Sequence, residues 1–128
     1  MEMMITRINP ADSPKVIGPY SQCVASGNLV FSAGQIGIDP KTGKLVDGGF
    51  ANQVRQTLEN LRTILSAAGS GPEKVLKATI YFTDLSNYKE FNEIYAAFFS
   101  GNFPARAAVQ VSALPAGALV EIDIIATR

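Results

Sequence analysis

The sequence predicts an α+β domain in which one mixed β-sheet carries two helices on a single face, in the order β-β-α-β-α-β-β. Two observations predict it: two segments repeat apolar residues at helical spacing, and β-rich runs bounded by turn residues flank each of them. A third fixes the extent. No low-complexity tract or linker divides the 128 residues, so residues 1–128 are expected to form a single domain. A chain of that length buries roughly two-thirds of the surface it exposes when unfolded.

The first strand pair is YSQCVASGNLVFSAGQIGI, two β-rich runs separated by the Ser26–Asn28 turn, which reads as a hairpin. After the loop DPKTGKLVDGG, the stretch FANQVRQTLENLRTILSAAG places Phe50, Val54, Leu58, Leu61 and Leu65 along one helical face. Gly69, Gly71 and Pro72 supply its stop. VLKATIYFTDL is the next strand, with Val75, Lys77, Thr79 and Tyr81 alternating against Leu76, Ala78, Ile80 and Phe82. SNYKEFNEIYAAFF sets Tyr88, Phe91, Ile94 or Tyr95, and Phe98 at helical spacing, with Ser86 or Asn87 as its cap. ARAAVQVSA and ALVEIDIIAT are the last strands, joined by the Leu-Pro-Ala-Gly turn, and a terminal hairpin is expected there. The helical crossovers make the strands they connect parallel.

Alternation then assigns faces. Arg106, Ala108 and Gln110 share one side of their strand, and Glu121 and Asp123 share one side of the last. The apolar sets suit the helices, so arginine, glutamine and carboxylates are expected on the face without helices. A homo-oligomer packing those open faces would cover them and make clefts at its boundaries.

Composition excludes several classes. Eleven Lys+Arg balance eleven Asp+Glu, which disfavours nucleic-acid binding. The start, MEMMITRINPADSPK, has Glu2 and no long apolar region, and ALVEIDIIATR is interrupted by Glu121 and Asp123, so a soluble, cytoplasmic protein is expected. One cysteine and no histidine exclude an intramolecular disulfide, a Cys/His zinc site and any histidine-based triad. The glycines form no phosphate-binding or dinucleotide fingerprint, so no cofactor and no metal is implied.

The candidates for chemistry are few. Arg106, a permanently charged fork inside an apolar run, suits a carboxylate, or equally an ion pair with Glu121, Asp123 or a neighbouring subunit. Glu121 can position or deprotonate water, although an exposed strand carboxylate is usually just solvated. Tyr20, behind a stiffening proline in IGPYSQ, is either aimed at a ligand or, more commonly, half-buried packing. Gly34 marks a bulge more often than a ligand's approach, Asn92 reads as a surface residue, and Cys23 reads as packing.

IGPYSQ, LVFSAGQIGIDPKTGKL, FNEIYAAFF, FPARAAVQV and VEIDIIA, in that order, closely resemble the RidA (YjgF) family across essentially the whole chain. The resemblance implies a chorismate-mutase-like (YjgF-like) fold, a homotrimer with sites at subunit interfaces, and hydrolysis of reactive 2-imino acids such as 2-iminobutanoate and 2-iminopropanoate to 2-oxo acids and ammonia. By the same resemblance Arg106 holds the substrate carboxylate, Glu121 attends the attacking water, Tyr20 lines the pocket, and Gly34, Asn92 and position 108 contact ligand. One departure stands out: where many relatives have Ser-Cys or Thr-Cys after the arginine, this chain has Ala107 and Ala108. The competing expectation is a non-catalytic binding or chaperone-like trimer in which Arg106 and Glu121 merely pair across an interface. A pericyclic mutase, needing several cations, and a ribonuclease are weaker.

Overall fold

The computed structural model describes residues 4–128, so Glu2 of the leader reading lies outside the described residues. Six strands and two α-helices follow in the order β1 (Ile5–Ile8), β2 (Cys23–Ser26), β3 (Leu29–Ser32), α1 (Phe50–Ala67), β4 (Val75–Phe82), α2 (Tyr88–Phe99), β5 (Ala105–Gln110) and β6 (Val120–Thr127). All six strands form one sheet ordered β1-β2-β3-β6-β4-β5. The α+β mixed-sheet class is as expected, with one strand more than the sequence was read to hold. That strand, β1, pairs antiparallel with β2 from Ile5↔Ser26 to Ile8↔Cys23.

The expected hairpin at Ser26–Asn28 is β2–β3, turned by Gly27 at φ 58°, a conformation glycine adopts without penalty. The second expected hairpin is corrected. β5 and β6 are not neighbours, because β6 inserts antiparallel between β3 and β4 while β5 pairs parallel with β4 at the sheet edge. The arrangement still makes β3 parallel to β4 across the α1 crossover, since each is antiparallel to β6.

The two helices cover one face. Phe50, Val54, Leu58, Leu61 and Leu65 of α1, together with Phe91, Tyr95 and Phe99 of α2, bury against Val30, Ala78, Ile80, Phe82, Ile122 and Ile124. Phe82 is the pivot: its ring stacks on Phe50 at 6.1 Å and meets Phe91 edge-on at 5.0 Å. The alternation of β4 is broken at its start, where Val75 is buried and Leu76 exposed, because the register with β6 shifts between Val75 and Lys77. Cys23 is fully buried, as a packing residue should be. The N-terminus of α2 is reached through a 3₁₀ turn, Leu85–Asn87, capped by Asp84, whose carboxylate accepts from the Ser86 N–H; neither Ser86 nor Asn87 caps the helix by its side chain. The uncovered face carries exposed Leu29, Phe31 and Val109 beside Thr79, Tyr81, Glu121 and Asp123.

Among the described residues, no helix is long and apolar enough to cross a membrane.

Candidate functional site

The candidate residues gather at two places. In the first, Tyr20, Gly34 and Glu121 line a cleft of about 470 Å³, with Lys15, Lys41 and Ile36 on its walls. Three chain segments build it: the loop before β2, the stretch after β3, and the turn that leads into β6. Each is held by bonds the sequence dictates. Buried Gln22 bonds to Ser13 and to the Pro14 carbonyl, fastening the first loop. Gln35 exchanges both backbone hydrogen bonds with Ile122, so the chain beyond β3 stays beside β6. Asn60 of α1, only 2% exposed, donates to the carbonyls of Ile36 and Ile38. The third wall contains Ala116 at φ 58°, a left-handed conformation costing about 1 kcal/mol for a residue with a Cβ.

Glu121 is the second residue of β6 and points to the open face opposite Tyr81. Its carboxylate lies directly over Gly34: a Cβ there would come within 2.7 Å of Oε2, so this position accepts glycine alone while the carboxylate keeps its place. Gly34 therefore admits the acid to the cleft, and it also stands where the pairing with β6 is irregular, since the register runs from Phe31↔Ile125 to Gln35↔Ile122 with one residue more on the β3 side. Burial, and after it the neighbouring charge of Asp123, push the Glu121 carboxyl above the usual glutamate value. Asp123 is itself tied to β4, accepting a hydrogen bond from the Tyr81 hydroxyl at 3.2 Å. Tyr20 is 49% exposed, half-buried as the packing reading has it, and its ring borders the cleft.

The second place corrects the expected geometry of Arg106. Arg106 pairs with Ala78 in the β4–β5 register, and Ala78 faces the core, so Arg106, Ala108 and Gln110 lie on the helix side of the sheet and Glu121 and Asp123 on the other. The physical reason is that β5 is an edge strand. Its helix-side positions extend to the margin of α2, where a long cation can be half-covered and still reach water. There Arg106 Nη2 donates to Asn92 Oδ1 at 2.6 Å and to the Tyr88 hydroxyl oxygen at 2.8 Å. Its guanidinium carbon sits 4.8 Å from the Tyr95 ring centroid, 5.2 Å from Tyr88 and 5.7 Å from Phe91. Nη1 and Nε make no hydrogen bond among the described residues.

Asn92, read from the sequence as a surface residue, is thus the tightest partner of the cation. Ala108, opposite Ile80, lies two residues along the same face with its methyl half-buried. The aromatic cradle of Tyr88, Phe91 and Tyr95 was missed as a site feature because these rings carry the core periodicity of α2. The signal was the spacing itself: Tyr88, Asn92 and Tyr95 recur at i, i+4 and i+7 of one helix. Tyr95 is 3% exposed with its hydroxyl unpartnered, and burial pushes its phenol up to about 12 against the opposing pull of Arg106.

The arrangement offers a cation whose Nη1 and Nε are free of protein partners among the described residues and, separately, an acid of raised pKa in a cleft. In one chain they lie on opposite faces of the sheet.

A family model described as endoribonuclease L-PSP matches residues 10–128. The human 2-iminobutanoate/2-iminopropanoate deaminase is 46% identical over 129 aligned positions, covering 100% of this chain and 94% of its own. Among solved structures, a member of the conserved Rid protein family from Yersinia pestis superposes with a TM-score of 0.95 at 44% identity, over 98% of this chain and 100% of its own. TdcF of E. coli, solved with bound serine, gives 0.91 at 38% identity, over 96% and 98%.

Proposed function

This chain belongs to the endoribonuclease L-PSP family, the family of the RidA (YjgF) proteins, and from that premise we propose that it hydrolyses 2-imino acids, such as 2-iminobutanoate and 2-iminopropanoate, to 2-oxo acids and ammonia. The observation that carries the reading is Arg106: a cation anchored by Asn92 and three aromatic rings, with Nη1 and Nε left for an anion, in a chain 46% identical to a deaminase of that specificity. Serine bound to the neighbour TdcF is an amino acid of the same carboxylate-bearing class.

The chemistry follows from the groups present. Arg106 receives the carboxylate of the imino acid and fixes the adjacent C=N bond in place. Glu121, with its carboxyl held above the ordinary range, is poised to donate a proton to the imine nitrogen, which makes the carbon a stronger electrophile. Water then adds: a C–O bond forms as the C=N π pair moves to nitrogen, and the resulting carboxylate of Glu121 takes the proton water loses. Glu121 returns that proton to the amine nitrogen of the adduct, the hydroxyl oxygen's electron pair forms C=O as the C–N bond breaks and ammonia leaves, and the carboxylate takes up the hydroxyl proton, giving the oxo acid. Tyr20 borders the same cleft as Glu121 and narrows the water's approach. Nothing in this sequence of steps calls on the thiol that Ala108 replaces, so the substitution leaves the reaction intact.

The clamp and the acid of one chain face opposite ways, and apolar Leu29, Phe31 and Val109 stand exposed on the helix-free face. In the proposed homotrimer those helix-free faces pack together, and Arg106, at the margin of the edge strand β5, is the residue expected to meet the Glu121 cleft of the next subunit. The family's description names a ribonuclease, but a chain with zero net charge and no histidine offers an RNA backbone little attraction and no customary base.

The test is formation of 2-oxobutanoate with 2-iminobutanoate generated in place. The parent is expected to accelerate it, and a folded Arg106→Ala variant to lose at least a hundredfold in kcat/KM, the loss of about 3 kcal/mol that removing one partner of a charge-assisted pair brings. A parent that leaves the uncatalysed rate unchanged overturns the proposal in favour of a binding protein.

A further inference from the structure

We infer that Tyr88 is a further carboxylate-binding residue, whose hydroxyl accepts from Arg106 in the free protein and donates to the substrate carboxylate in the complex. The inference rests on the reading of Arg106 as a clamp and adds a residue to it.

The geometry of the guanidinium carries the argument. A carboxylate held by two parallel N–H bonds uses Nη2 in either of the ways it can meet an arginine, end-on with Nη1 or side-on with Nε. In the structure Nη2 is already donating to two oxygens, Asn92 Oδ1 at 2.6 Å and Tyr88 Oη at 2.8 Å. Bidentate binding therefore displaces one of them. The two are not equivalent. Asn92 makes the shorter contact and is half-buried, whereas Tyr88 is 43% exposed at the start of α2. Tyr88 is the partner that gives way.

Its chemistry suits the exchange. A carboxylate only accepts, and an amide oxygen facing it can only repel, but a phenol both accepts and donates. The Tyr88 proton makes no hydrogen bond among the described residues, so it is available when the oxygen releases Nη2. The departing hydroxyl then turns its O–H onto the arriving oxygen. The guanidinium stays in register during the exchange, because the Tyr95 and Phe91 rings and Asn92 still hold it.

The experiment compares the parent with Tyr88→Phe, which keeps the ring and its stacking on Arg106, and with Tyr88→Leu, which loses both. Steady-state kinetics on 2-iminobutanoate are read beside calorimetric binding of 2-oxobutanoate, the carboxylate product. In Tyr88→Phe, KM and the product Kd are expected to rise together by about tenfold, the worth of one hydrogen bond to a charged group, and by more than kcat falls. Water takes the phenol's place on Nη2 in the free variant, so the lost donor dominates. Unchanged KM and Kd, or tighter binding, overturn the inference, tighter binding marking the hydroxyl as a mere placeholder. Calorimetry separates this result from the proposed function: a parent that binds the oxo acid without turnover, and binds it more weakly as Tyr88→Phe, upholds the clamp while the deaminase reading fails. A parent that neither turns over nor binds overturns both.

Discussion

Glu121 shows most plainly how one residue's surroundings set its chemistry. Its folded pKa is raised by burial and by Asp123, so the folded protein holds this proton at a pH where the unfolded chain has released it. The sign follows directly. Stability falls as pH rises from the ordinary glutamate value near 4.5 up through the folded value, and the cost persists above it. Glu121→Gln is therefore expected to melt higher than the parent at pH 7 and to converge with it near pH 4, where both side chains are neutral. Equal differences at the two pH values, read by thermal melting, would contradict the assignment. Both candidate residues stood out in the sequence, a cation in an apolar strand and a carboxylate in another. Their placement was legible only for Glu121. Alternation separates the faces of a strand but does not say which face the helices cover, and Arg106 sits helix-side because an edge strand lets a polar head escape what its neighbours must bury.

Among elements, α1 does more than cover the sheet. Its apolar stripe was plain from spacing, and so were the helix itself and its glycine stop. Its polar buried residues were not. Asn60 makes no sense on a helical wheel, yet it satisfies two carbonyls of the stretch that walls the cleft and is itself braced by Gln56 at 2.9 Å. Asn60→Ala is expected to leave the Ile38 carbonyl without its partner and the Ile36 carbonyl with the Ile38 N–H alone, costing about 1–3 kcal/mol and lowering the melting temperature by several degrees, while also loosening the Ile36–Ile38 wall. An unchanged melting curve would show that water replaces the amide freely. Two strand features escaped the sequence for a related reason. The four residues of β1 give too short an alternation to distinguish from a tail, and the insertion of β6 between β3 and β4 is a long-range pairing that no local pattern encodes.

At the scale of the molecule, Arg106 and Glu121 face opposite ways across the sheet, and Leu29, Phe31 and Val109 stand exposed on the helix-free face, so the proposed reaction needs the two residues to come from different copies. The sequence suggested covering that face, but it placed Arg106 upon it. With Arg106 on one side of the sheet and Glu121 on the other, the proposed reaction requires a site shared between copies. The measurement that tests it most directly is complementation. Arg106→Ala and Glu121→Gln variants, each inactive alone, are unfolded, mixed in equal amounts and refolded together. If sites form between subunits, random assembly restores about a quarter of them with both native residues, and a matching share of parental activity returns. If each chain carries its own complete site, the mixture stays as inactive as its components, and the account of a deaminase built from two neighbours is wrong.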